Sequence, residues 1–95
     1  MSIYMTTIKI ISLIQKFSDR LNKILIEGVL DYVNNGEAKL AFEILCDHLS
    51  EYEINISSSE YNEAAELALQ LGFEMKNPPF KYLEQLKNDG VTDLT

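Results

Sequence analysis

Residues 37–52 read EAKLAFEILCDHLSEY, and this stretch decides the fold class. Ala38, Ala41, Phe42, Leu45, Leu49 and Tyr52 recur at intervals of three and four, the spacing that gathers side chains onto one face of an α-helix. Glu43, Asp47 and Glu51 occupy successive i,i+4 positions on another face. Like charges at that spacing oppose a helix by about 0.2–0.5 kcal/mol per pair, so local stability does not account for the row. Either the row is a solvated face that keeps a small protein soluble, or it is held for a partner.

Upstream, Asn34-Asn35-Gly36 supplies a left-handed helix terminator. A second helix is expected over about 19–34, capped by Ser18 or Asp19, with Leu21, Ile24, Leu25, Gly28, Val29, Tyr32 and Val33 on its apolar face. Gly28 in mid-helix costs on the order of 1 kcal/mol relative to alanine, and a close helix crossing there would offset it. The short link to Glu37 implies antiparallel packing of the two helices. Ile8, Ile11, Leu13 or Ile14, and Phe17 mark a first helix over about 6–17, with residues 1–5 as a loosely packed lead-in. The isoleucines between Met5 and Ile11 leave a strand open, while lysines toward the end of the segment favour a helix.

Downstream, Ser57 and Glu60 have capping-box spacing, with Ser58 as a second candidate cap. The fourth helix, about 58–71, turns Tyr61, Ala64, Ala65, Ala68 and Leu71 inward, with Leu67 and Leu69 widening its apolar surface. Gly72 closes it, and Phe73 and Met75 fold back onto the core. Pro78 and Pro79 force an extended approach to a last helix over about 80–87, where Phe80, Leu83 and Leu86 give one apolar side. Asn88-Asp89-Gly90 terminates it, and a mobile tail follows. The chain therefore reads as all-α, a single domain over 1–95 built as a compact bundle of four to five short helices. At this length about 60–65% of the extended surface is buried, so the core is thin.

Charge is distributed unevenly. Residues 27–75 carry eleven carboxylates and only Lys39 as a base, a net −10, against +3 for residues 1–26 and −7 for the whole. Such a surface repels phosphate backbones and suits a basic protein. No nucleic-acid partner is expected, because the helices that would have to read a groove are acidic. Cys46, the only cysteine, excludes an internal disulfide and a multi-cysteine metal site. No apolar stretch approaches the roughly 20 residues needed to cross a bilayer, and no segment resembles a signal peptide. The expectation is a cytoplasmic protein without a membrane partner.

Catalytic residues are not expected. His48 is the single histidine, and its sequence neighbours Cys46 and Asp47 point in other directions on a helix. Cys46 lies beside the apolar stripe and reads as a small buried hydrophobe. The carboxylates lack a companion histidine ladder, an EF-hand loop or a glycine-rich phosphate cradle, so neither metal nor cofactor is implied. Tyr52 and Tyr61 bracket the link between the two acidic helices, and tyrosine is a frequent interface anchor. A contact surface drawn from Glu43, Asp47, Glu51, Tyr52, Glu53 and Tyr61, rimmed by Glu60, Glu63 and Glu66, is the candidate partner-binding site. The competing reading places each tyrosine half in the core and half on the surface.

The run GEAKLAFEILCDHLSEYEINISSSEYNEAAELALQLGF, 36–73, resembles the MafI-like immunity proteins and related immunity proteins of contact-dependent growth inhibition. The likeness rests on the glycine after a helix, Leu40 to Asp47, the Glu51-Tyr52 pair, the polar turn Ser57 to Tyr61 and the Leu71-Gly72-Phe73 helix end. It implies a cytoplasmic protein that neutralises the C-terminal domain of a cognate toxin. Toxins of these systems are frequently nucleases with basic phosphate-binding surfaces, on which Asp47, Glu51 and Glu53 would substitute for phosphate charge. Two other classes remain open on the residues alone: an acidic adaptor or regulator of another basic protein, and a homo-oligomeric helical subunit.

Overall fold

The computed structural model describes residues 3–74, 76 and 80–88, with the backbone alone of residue 3. Four α-helices, α1 (Ile3–Lys16), α2 (Lys23–Asn34), α3 (Ala38–Glu51) and α4 (Ser58–Gln70), are followed by a 3-10 helix, Phe80–Leu86. The fold class is all-α, as the periodicity of 37–52 requires. Helix α1 packs against α2, α3 and α4, and α3 also meets α2 and the 3-10 helix. The expected mobile tail, the Pro78-Pro79 break and the inward fold of Met75 concern residues outside those described.

Phe17, Phe42 and Phe80 are the largest fully buried side chains. The ring of Phe42 lies 5.5 Å from Phe73 and 6.5 Å from Phe80, and Tyr61 closes on Phe80 at 5.3 Å. These contacts tie α3, α4 and the 3-10 helix into one aromatic cluster, worth more than its buried area because tilted and offset rings attract. Ile56 adds a feature the helical periodicity could not announce. Its N–H donates to Leu86 O at 3.0 Å and its carbonyl accepts from Asn88 N–H at 2.7 Å, a lone parallel β-bridge to the C-terminal segment.

Three readings of the N-terminal half need correction. Helix α1 begins at residue 3, so part of the expected lead-in is helical. Helix α2 begins later than 19: residues 17–20 form a turn, and Asn22 rather than Ser18 or Asp19 is the cap, its Oδ1 accepting from Ile24 N–H at 2.8 Å. The buried face also differs from the expected one. Ile26, Val29 and Val33 face the core, whereas Ile24 and Tyr32 are exposed. Gly28 accordingly lies on the solvent side with nothing within 4 Å of an added Cβ, so no helix crossing requires it.

The helix ends share one device. In the Schellman motif the residue after the helix adopts a left-handed conformation, and its N–H and the next one satisfy terminal carbonyls. Gly36 (φ 83°) and Glu37 do so after α2, their N–H groups donating to Val33 O and Tyr32 O. Gly72 (φ 90°) and Phe73 repeat it after α4, donating to Leu69 O and Ala68 O.

Candidate functional site

The carboxylates of α4 face α1. Arg20, just beyond the C-terminus of α1, donates through both terminal nitrogens to Glu60, at 3.0 Å to Oε1 and 2.7 Å to Oε2. The same guanidinium donates to Asn55 O at 3.0 Å and Lys16 O at 2.8 Å, and lies 4.6 Å over the Phe17 ring. Glu60 also completes the capping box, accepting from Ser57 N–H while its own N–H donates to Ser57 Oγ, each at 3.0 Å. The bidentate bond to Arg20 holds the Glu60 carboxyl below the usual carboxylate range, against an opposing contribution from burial. Further along, Lys16 pairs with Glu63, and Lys9 reaches Glu66 at 3.8 Å. The basic N-terminus and the acidic α4 thus form an internal charge ladder.

Helix α3 differs. Asp47 and Glu51 are exposed and Glu43 is half-buried, and none of the three is in an ion pair among the described residues. Just past the helix, Glu53 has φ 49°, the one non-glycine residue at positive φ among the described residues. Its N–H donates to Ser50 O and that of Ile54 to Leu49 O, so Glu53 fills the Schellman position that glycine holds after α2 and α4. A side chain there costs about 1 kcal/mol, and the helix does not need a carboxylate to end.

Tyr52 is 53% exposed, its ring tilted at 6.5 Å from that of His48, whose Nδ1 is buried without a hydrogen-bond partner among the described residues. Tyr61 goes elsewhere, half-buried on Phe80 with the Lys87 ammonium 4.7 Å over its ring. Burial, then Glu84, pushes its hydroxyl above the ordinary tyrosine value. Of the nine residues expected to share one patch, the structure leaves Glu43, Asp47, Glu51, Tyr52 and Glu53 on α3 and its exit. Glu60, Glu63 and Glu66 turn to α1, and Tyr61 joins the aromatic cluster.

Cys46 is buried, and desolvation, with Asp47 and Glu43 adding to it, pushes its thiol pKa strongly upward; this is an unreactive core thiol. Among the described residues no group of three or more His, Cys, Asp or Glu side chains is placed to hold a metal ion. No described helix is long and apolar enough to cross a membrane. The Arg20 hub was missed by sequence reasoning. Its one available signal was the basic N-terminal segment facing an acidic one, which fixes the pairing in sign but not in register. Compared with known proteins, the chain matches no family model, no curated protein and no solved structure.

Proposed function

We propose that this chain is an immunity protein that binds the C-terminal domain of a cognate toxin, a basic nuclease, and blocks it by protein–protein contact across the outer face of α3. The observation that carries the reading is the row Glu43, Asp47 and Glu51, three carboxylates in helical register with no described ion pair, in a chain whose Lys9, Lys16, Arg20 and Lys23 already meet other acids. The row opposes its own helix, and a basic partner relieves that repulsion. Glu53 extends the same negative surface from a backbone conformation that favours glycine, a local strain of the kind functional surfaces retain. Seated over the toxin's phosphate-binding surface in the cytoplasm, these carboxylates would stand in for substrate phosphates, with no cofactor involved. The sequence likeness supplies the partner class; the free charge supplies the contact.

The test is growth rescue. The chain is co-expressed with the C-terminal domain of a candidate toxin, a basic nuclease, alongside a variant with Glu43→Lys, Asp47→Lys and Glu51→Lys together. Rescue by the wild type, lost in the triple variant, is the expected result, with calorimetric affinity that weakens as salt rises. Undiminished rescue by the triple variant would remove α3 as the interface. Binding to a different basic protein, with none to the toxin domain, would move the assignment to an adaptor.

A further inference from the structure

Beside the acidic row, the start of α2 and the exit of α3 enclose an open apolar groove of about 330 Å³, lined by Arg20, Leu21, Asn22, Ile24, Leu25 and Tyr52. Ile24 is 75% exposed, the highest value among the described large apolar residues, and Tyr52 contributes a 53% exposed ring. The core has no use for either side chain, since α2 turns Ile26, Val29 and Val33 inward instead. Among its lining residues only Arg20 is charged, and carboxylates lie next to the others along the chain. Glu27 stands one helical turn beyond Ile24, and Glu51 and Glu53 flank Tyr52. The bases nearby are already engaged, Arg20 by Glu60 and Lys23 by Glu27 at 4.0 Å, while the His48 ring lies tilted beside Tyr52. The chain neighbours and ion-pair partners of the lining residues, Asp19, Glu27, Glu51, Glu53 and Glu60 against Arg20 and Lys23, carry a net −3.

We infer that this groove receives one large apolar side chain of the basic partner, with lysines or arginines beside it meeting Glu51 and Glu53. The inference rests on the protein-binding reading above and gives that interface its anchor. An open groove does not enclose a small molecule, whose sites bury most of the ligand. It does suit an interface hot spot, where one desolvated side chain is ringed by polar contacts that exclude water. Carboxylates alone would attract any cation, whereas an apolar slot beside them discriminates among basic segments.

The chain contains no tryptophan, so indole fluorescence reports a tryptophan peptide directly. The probe is Ac-Lys-Lys-Trp-Lys-Lys-amide, and its counterpart with alanine in place of tryptophan serves as competitor. The expected result is saturable binding with a blue-shifted emission, weakened about tenfold by Ile24→Ser and by Tyr52→Ala, and poor competition by the alanine peptide. Both side chains are mostly exposed, so the variants keep their fold, and an unchanged melting temperature checks this. Equal competition by the alanine peptide, or unaltered binding by both variants, would overturn the anchor. The probe contains no toxin, so the two readings fail separately. A docked peptide without growth rescue removes the toxin, and rescue that depends on α3 without a docked peptide removes the groove.

Discussion

Helices α3 and α4 each carry three carboxylates one helical turn apart, at steps of four on α3 and three on α4, and use them in opposite ways. On α4, Glu60, Glu63 and Glu66 look across at Arg20, Lys16 and Lys9, and the charge is neutralised within the molecule. On α3, Glu43, Asp47 and Glu51 have no such counterpart among the described residues. A count of acids cannot separate a structural ladder from an interaction surface. The neighbour opposite each one can. The same contrast recurs at the helix ends, where α2 and α4 stop on glycine and α3 stops on a strained glutamate.

The largest effect should come from breaking the α4 side at its hub. Arg20→Ala removes a bidentate, half-desolvated ion pair, two bonds to backbone carbonyls and a cation over Phe17. Together these are worth about 2–3 kcal/mol, or roughly 10–20 °C in melting temperature for a domain of this size. The loss should depend on pH. Because Arg20 holds the folded Glu60 carboxyl below its unfolded value of about 4.3, the pair contributes fully above that pH, and its contribution is lost as pH falls through the lower folded value. The gap in melting temperature between wild type and Arg20→Ala therefore narrows on acidification below about pH 4. A constant gap down to pH 3 would assign the hub's strength to its backbone bonds instead.

Next in size is the helix end. Glu53→Gly should raise stability by about 1 kcal/mol, since glycine adopts φ 49° without the Cβ clash. Thermal or denaturant unfolding checks it, and no gain would mean that the glutamate side chain makes a compensating contact. The matching change at Gly36, to alanine, should lower stability, because φ 83° is strained for any side chain.

The sequence carried the parts of this fold that depend on local spacing. The stripe of α3, the Ser57–Glu60 capping box and the glycine stops at 36 and 72 are each written within a few neighbouring residues. What it did not carry depends on register between distant segments. Ile24 and Ile26 are both isoleucines two positions apart, and which one enters the core follows from how α2 packs against α1 and α3, which no local spacing states. The bridge from Ile56 to Lys87 and the reach of Arg20 to Glu60 span 31 and 40 residues, beyond any periodic signal. The candidate site divided along the same line. Glu43, Asp47 and Glu51 were placed together by helical spacing, whereas Glu60, Glu63 and Tyr61 were drawn away by partners that spacing could not name.

The smallest effect is the most discriminating. Asp47→Lys replaces two like-charge i,i+4 pairs, with Glu43 and Glu51, by two opposite-charge ones, and should stabilise the fold by about 0.8 kcal/mol, taking the low end of about 0.2 kcal/mol for each repulsion removed and each attraction gained. Asp47 is exposed, so no packing is disturbed. If α3 is an interaction surface, the same substitution weakens partner binding while it strengthens the helix, and the two measurements move in opposite directions. If the row is only a solvated face, stability rises and binding stays where it was. A fall in stability would contradict both, because it would require Asp47 to be making a favourable contact. Reading the pair together, melting temperature against affinity, separates a charge kept for folding from one kept for a partner, which neither measurement does alone.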